Sequence, residues 1–267
     1  MTAAPVTVST LRKMKTSSEK IAVLTAYDAT FAHVLDDAGV EVILVGDSLG
    51  MVVQGRESTV SVSMDDMVYH TRAVAQGRKN SLLMADMPFM SYATVEDGLH
   101  NAARLMQEGG AHMVKLEGNA NQVEIVARLT ANGVPVCAHL GLRPQFVHKI
   151  GGYRVQGRDE QSARGLMSDA VALEAAGADL LLLECVPQNL AADITQRVSI
   201  PVIGIGAGVH CDGQVLVLHD LLGVTPGQRP RFSKDFLADG GSVYQAVVEY
   251  VQAVKEGTFP GPDHSFN

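Results

Sequence analysis

Short apolar runs and amphipathic stretches alternate along almost the whole chain. The runs are rich in Val, Ile and Leu: Ile21–Tyr27, Val42–Asp47, Leu82–Asp86, Met113–Glu117, Val134–Leu140, Leu180–Glu184, Pro201–Ile205 and Gln214–Leu218. Unbroken apolar runs of this length suit strands covered on both faces, as in a parallel sheet between helices. The intervening stretches carry helix punctuation. Asp28–Ala38 places Phe31, Val34 and Leu35 on one face and stops at Gly39. Ser63 with Asp66, and Thr94 with Asp97, each resemble a capping box, a hydroxyl followed three residues on by a carboxylate. The second opens a helix with Leu99, Ala102, Leu105 and Met106 on its apolar side, ending at Gly109-Gly110. Val123–Asn132 ends at Gly133, and Leu166–Ala176 ends at Gly177.

Helix, glycine turn and strand therefore recur before Val42, Met113, Val134 and Leu180. Repeated crossovers between such strands predict a closed (β/α)8 TIM barrel, with an open doubly wound sheet as the alternative. One domain is expected over residues 1–267, with a lead-in helix at Val8–Lys15 and a trailing helix at Ser242–Lys255 before the tail. Two features depart from the ideal repeat. Residues 206–214 are too few to hold a full crossover helix between the last two strands. Gly141–Asp159, by contrast, is a long connection holding Gly151, Gly152 and Gly157 with Arg143, Lys149, Arg154 and Arg158. A long loop in a compact domain usually covers an active site. Gly204-Ile-Gly-Ala-Gly208 matches neither the Walker nor the Rossmann spacing; it reads as a tight turn, with an anion site as the alternative. His264, near the end, is expected to be exposed.

Composition narrows the functional classes. The chain carries 21 Lys and Arg against 29 Asp and Glu, a net charge of −8, without a basic block. Nothing supplies the cationic stripe that nucleic-acid phosphates require. No apolar run approaches the roughly 18 residues that span a bilayer, and Met1–Thr10 lacks the pattern of a secretory signal. Cys137, Cys185 and Cys211 cannot all pair within one chain, and two of them sit in apolar runs. The chain reads as cytoplasmic.

Polar residues at the carboxyl ends of buried strands need a reason. They recur here as Tyr27, Asp47-Ser48, Asp86, Lys115 with Glu117, His139 and Glu184. In a parallel barrel those ends share one rim, so distant residues converge on one pocket. Side chains alternate along a strand, so Lys115 and Glu117 point one way and Leu116 the other. Each residue also has a structural reading. Asp47 and Asp86 could cap helices, Lys115 could pair with Glu117, His139 could be a satisfied core histidine, and Glu184 could bind amides of a helix starting near Pro187. Together the four carboxylates would crowd negative charge in a desolvated cleft, which a divalent cation relieves. Carboxylate oxygens favour a hard ion such as Mg2+, and His139 and His70 lack a zinc-like spacing. A metal with open positions, a lysine, a serine and a further carboxylate suit the binding and deprotonation of an oxo acid.

The strings that carry these residues are Thr25-Ala-Tyr-Asp28, Val45-Gly-Asp-Ser-Leu-Gly-Met51, Tyr69-His-Thr-Arg-Ala-Val74, Ala85-Asp-Met-Pro-Phe-Met90 and Val114-Lys-Leu-Glu-Gly118. Further on come His139-Leu-Gly-Leu142, Gly151-Gly-Tyr-Arg-Val-Gln-Gly157, Leu183-Glu-Cys-Val-Pro187 and Gly204-Ile-Gly-Ala-Gly208. In this order they resemble the ketopantoate hydroxymethyltransferase family from about Thr25 to Phe266, with differences in loops such as Val209-His210-Cys211. The resemblance implies a TIM barrel of the phosphoenolpyruvate/pyruvate-like superfamily and a Mg2+-dependent transferase of pantothenate synthesis. The implied reaction moves a hydroxymethyl group from 5,10-methylenetetrahydrofolate to 3-methyl-2-oxobutanoate, giving 2-dehydropantoate. It implies Asp47 and Asp86 as metal ligands with Glu117 as the third metal-site carboxylate. Asp47, Ser48, Asp86 and Lys115 would line the oxo-acid site, Glu184 would accept the proton, and His139 is a pocket histidine. It also implies a homodecamer. Competing readings are a Mg2+-dependent C–C lyase acting on a 2-oxo or 2-methyl acid, a Schiff-base enzyme using Lys115, and a non-catalytic scaffold.

Overall fold

The computed structural model describes residues 4–225 and 227–267; the first three residues of the expected lead-in lie outside them. After α1 (Val8–Thr16) the chain runs β1 (Ile21–Thr25), α2 (Ala29–Asp37), β2 (Val42–Val45), α3 (Leu49–Val52), α4 (Met64–Gly77) and β3 (Leu82–Asp86). It continues through α5 (Val95–Gln107), β4 (Met113–Glu117), α6 (Val123–Ala131), β5 (Val136–Gly141), α7 (Val147–Ile150), α8 (Glu160–Ala175) and β6 (Leu180–Glu184). The last part is α9 (Gln188–Arg197), β7 (Val202–Ile205), β8 (Gly213–Leu216), α10 (Leu218–Leu221), α11 (Leu237–Gly240) and α12 (Val243–Glu256). The strands pair in sequence order, all parallel, and β8 returns to β1, so the sheet is a closed barrel. The open-sheet alternative is thereby excluded.

The barrel follows from period-two alternation within each apolar run. Ile21, Val23, Val42, Leu44, Leu82, Met84, Met113, Leu180 and Leu182 point inward and form one cluster with Leu11 and Met14 of α1. The expected lead-in helix is therefore a plug across the end of the barrel where the strands begin. The intervening residues, such as Ala22, Leu24, Ile43, Leu83, Val114, Leu116 and Leu181, face outward and pack under the helices.

Closure depends on two devices at the β8–β1 seam. A Cβ on Gly213 would lie 2.3 Å from the Ile21 carbonyl, so a side chain there would push the strands apart. The Tyr250 hydroxyl of α12 lies 3.0 Å from the Val23 carbonyl and 2.9 Å from that of Gln214, pinning the trailing helix across the seam. As the spacing predicts, no helix lies between β7 and β8; α12 supplies cover at the seam from further along the chain.

Local signals were read with mixed accuracy. Ser63 and Asp66 form the full reciprocal capping box. Thr94 accepts the Asp97 amide and bonds the Asp97 carboxylate instead, so the second box is half formed. The helix expected at Leu166 starts at Glu160, capped by Asp159; the apolar stripe begins a turn and a half after the cap because that first stretch faces water. The Gly141–Asp159 connection is partly ordered, with a 3-10 turn at Pro144–Phe146 and α7. His264 is half-buried rather than exposed, its ring 5.3 Å from that of Phe259. Gly206 and Gly208 have positive φ and close contacts to Phe232, Phe266 and Gln188, which supports the tight-turn reading of that stretch.

Candidate active site

The inward-facing series on four adjacent strands changes character from bottom to top. On β3 it reads Leu82, Met84, Asp86; on β4 Met113, Lys115, Glu117; on β5 Cys137, His139; on β6 Leu180, Leu182, Glu184. The polar members, with Asp47 and Ser48 just beyond β2, line one cavity of about 640 Å³. Asp47, Ser48, Asp86, Lys115, Glu117, His139 and Glu184 therefore share one pocket, whereas Tyr27, also expected on the rim, is not part of its lining.

Lys115 is the hub. Its Nζ lies 2.9 Å from Asp86 Oδ1 and donates to His139 Nδ1 at 3.4 Å. The expected structural pair with Glu117 gives way to Asp86, the register neighbour of Lys115 across the β3–β4 ladder. Burial favours the neutral amine, but Asp86, Glu117 and Asp47 outweigh it and hold Lys115 above the usual ammonium range. A permanently protonated lysine is a poor Schiff-base nucleophile, which removes the main support for that reading.

The other charges respond to the same crowding. Burial, reinforced by Asp86, raises the Asp47 carboxyl to about 7. Burial and the neighbouring Asp47 push Glu117 well above its ordinary value. Burial, with Asp47 and Asp86, raises Glu184 to about 8 although 14% of its side chain remains exposed. Burial and the Lys115 cation drive His139 well below its ordinary value, so the imidazole is neutral. Nδ1 accepts a hydrogen bond from the Lys115 ammonium, which assigns the ring proton to Nε2, 3.3 Å from Glu184 Oε2. Ser48 meets Tyr27, Oγ to hydroxyl, at 2.9 Å. Cys137, at the buried base of the same strand as His139, is pushed up to about 12 by burial and is inert as a nucleophile.

The donor set suits a hard divalent cation. Carboxylate oxygens of Asp47, Asp86 and Glu117 dominate, and each carries the cost of buried negative charge that a cation would offset. Among the described residues, no three His, Cys, Asp or Glu side chains converge tightly enough to hold an ion alone. The three-carboxylate set expected from the sequence is therefore not drawn together as one ready-made group; Mg2+, which keeps waters and commonly takes one or two carboxylates with substrate oxygens, would use part of it.

Several residues of the site were not anticipated. Gln145 and Tyr92, both buried, tie Asp47 to Glu117. No sequence signal marks them, because each lies outside a strand end. At the mouth, Arg154 is the one of the four loop cations that lines the cavity. Arg143 instead stacks over Phe146 at 4.2 Å. Arg229 and Arg231 also line the cavity, from a segment without hydrophobic periodicity.

Comparison with known proteins agrees with this geometry. The family model for ketopantoate hydroxymethyltransferase matches residues 5–262. A 3-methyl-2-oxobutanoate hydroxymethyltransferase from Alkalilimnicola ehrlichii is 65% identical over 262 residues, covering 98% of this chain and 95% of its own. Among solved structures, a 2,3-dimethylmalate lyase of the PEP mutase/isocitrate lyase superfamily aligns with TM-score 0.53 and 16% identity, covering 73% of this chain and 70% of its own. A phosphonopyruvate hydrolase complexed with oxalate and Mg++ aligns with TM-score 0.63 and 13% identity, covering 96% of this chain and 92% of its own. At such identities the two structures show the shared barrel alone. The match across nearly the whole sequence goes further: this chain belongs to the ketopantoate hydroxymethyltransferase family.

Proposed function

We propose that the protein transfers a hydroxymethyl group from 5,10-methylenetetrahydrofolate to 3-methyl-2-oxobutanoate, producing 2-dehydropantoate for pantothenate synthesis. The observation that carries this reading is the pairing, in one cavity, of a fixed cation at Lys115 with the partly exposed carboxyl of Glu184. Lys115 and Ser48 bind the carboxylate of the oxo acid and orient it. Carboxylates from among Asp47, Asp86 and Glu117, together with water and substrate oxygens, would hold Mg2+, which when bound supplies positive charge to the oxo acid and so acidifies its C3. Glu184 removes the C3 proton, and the neutral His139, whose Nε2 lies 3.3 Å from Glu184 Oε2, does not compete for that proton. The resulting enolate carbon attacks the folate-borne methylene as one of its two C–N bonds breaks, water displaces the second nitrogen to leave the hydroxyl, and the two folate nitrogens take up the C3 proton and a proton of that water. A placed base contributes roughly 10²–10⁴ in rate, and the remainder falls to charge stabilisation at the keto oxygen. The family's decameric assembly and a cytoplasmic location complete the reading; among the described residues no helix is long and apolar enough to cross a membrane.

The decisive assay mixes protein, 3-methyl-2-oxobutanoate, methylenetetrahydrofolate and Mg2+, with and without a chelator. Formation of 2-dehydropantoate that stops on chelation is expected. Turnover of an oxo acid by C–C cleavage without any folate would establish the lyase reading instead.

A further inference from the structure

Gln145 makes more contacts to the acidic site than any role above requires. It lies in the 3-10 turn after β5, buried at 4% exposure. Its backbone N–H donates to Glu117 Oε2 at 3.0 Å. Its side-chain Nε2 donates to Asp47 Oδ2 at 2.9 Å and to the Met87 carbonyl at 2.9 Å. Its Oε1 accepts from the Tyr92 hydroxyl at 2.6 Å. That hydroxyl in turn lies 3.2 Å from the Glu117 amide, from which it accepts. The orientation of the Gln145 amide is set by the two acceptors that face its nitrogen, and its oxygen meets the Tyr92 hydroxyl, which also reaches the Glu117 carbonyl at 3.1 Å. One residue therefore reaches the ends of β2 and β4 at once.

We propose that Gln145, oriented by Tyr92, is a positioning residue that locks the Asp47 and Glu117 carboxylates so that each offers its second oxygen to the cation and the oxo acid. The terminal torsion of a carboxylate is soft and nearly two-fold, so an untethered Asp or Glu swings between equivalent settings. The side-chain amide of Gln145 holds Oδ2 of Asp47 and its backbone amide holds Oε2 of Glu117, so one residue restrains both swings. The tether is neutral, so it orders the acids without cancelling the charge that a cation would meet. It also makes the β5 loop part of the site, since the turn that carries Gln145 leads into Tyr153 and Arg154 at the cavity mouth.

The inference rests on the reading of this pocket as a cation-dependent oxo-acid site, and Mg2+ titration calorimetry of the full-length protein separates the two. Wild-type protein that takes up no Mg2+ would overturn that reading together with the clamp. If wild type binds, Gln145→Met, which keeps the volume and removes the side-chain donor, is expected to weaken Mg2+ about 10- to 100-fold. KM for the oxo acid should rise with it, and C3 proton exchange should slow. Tyr92→Phe, which keeps the ring and frees the amide to turn, is expected to weaken Mg2+ about 2- to 10-fold. It decides the matter if Gln145→Met does not fold. A residue with a purely structural role would lower the melting temperature and leave Mg2+ affinity alone. Folded variants with wild-type Mg2+ affinity would therefore overturn the clamp.

Discussion

The two ends of the barrel use acidic residues for opposite purposes. At the end where strands begin, carboxylates accept the first amides of the ladder. Asp36 takes the Asn80 and Ser81 amides, Glu41 takes Ala22, Asp179 takes Val136, Asp212 takes Val202, and Glu174 takes Ser199 and Ile200. Several also meet cations from the flanking helices: Arg12 with Asp179 at 2.7 Å, Lys15 with Asp212 at 2.8 Å, and Lys255 with Glu41 at 2.5 Å. At the end where strands stop, Asp47, Asp86, Glu117 and Glu184 crowd around the buried Lys115 and face a cavity. One ring of acids is satisfied by the fold, whereas the other is left in need. Need of that kind marks a place where a ligand brings the missing charge.

The comparison breaks most sharply at Glu184. Glu184→Gln should slow exchange of the C3 proton into deuterated solvent by about 10²–10⁴-fold. Oxo-acid binding measured by calorimetry should survive. Unchanged exchange would take Glu184 out of the base role. At the opposite end, Leu11→Ala in the plug should cost about 2–5 kcal/mol in denaturant unfolding, with kcat and KM retained. Loss of activity in folded Leu11→Ala protein would mean that the plug shapes the site as well as the core.

The two rings should also respond to pH in opposite senses. Burial raises Asp36, but the Ser81 and Asn80 hydrogen bonds exceed it and hold the carboxyl below its usual value. A depressed native pKa contributes stability that is present above the unfolded value and lost as pH falls through the native one. Glu184 and Asp47 are raised, to about 8 and about 7. Their contribution is full below the ordinary carboxylate range and is lost as pH rises through those values. Metal-free protein should therefore lose melting temperature towards pH 8, and Glu184→Gln should flatten that decline. Asp36→Asn should flatten the acid side instead. A melting profile in which either variant changes the wrong limb would contradict the assignment. The smallest effect is expected for Arg12→Ala: its partner pair is half-exposed, and its removal should cost about 0–1 kcal/mol without touching activity.

The barrel itself was legible because its signal is local and repeated. Val-, Ile- and Leu-rich runs mark the strands, and Gly39, Gly133 and Gly177, all with positive φ, mark the helix-to-strand turns. The polar strand ends were legible for the same reason, since Asp86, Glu117, His139 and Glu184 each interrupt an apolar run. Gln145 and Tyr92 were not, because a glutamine in a loop and a tyrosine before a helix interrupt nothing. Arg229 and Arg231 were missed likewise, their segment having no period to break.

By itself the sequence determined which residues lie in strands, which face inward and which strands end in charge, because period and punctuation are encoded within a few neighbouring residues. The tertiary structure alone decided that Lys115 answers Asp86 rather than Glu117, that α12 pins the seam, and that Gln145 joins two distant acids. Those outcomes depend on register between strands and on where loops fold back. Such placements are fixed by close packing across the whole barrel and by no local pattern.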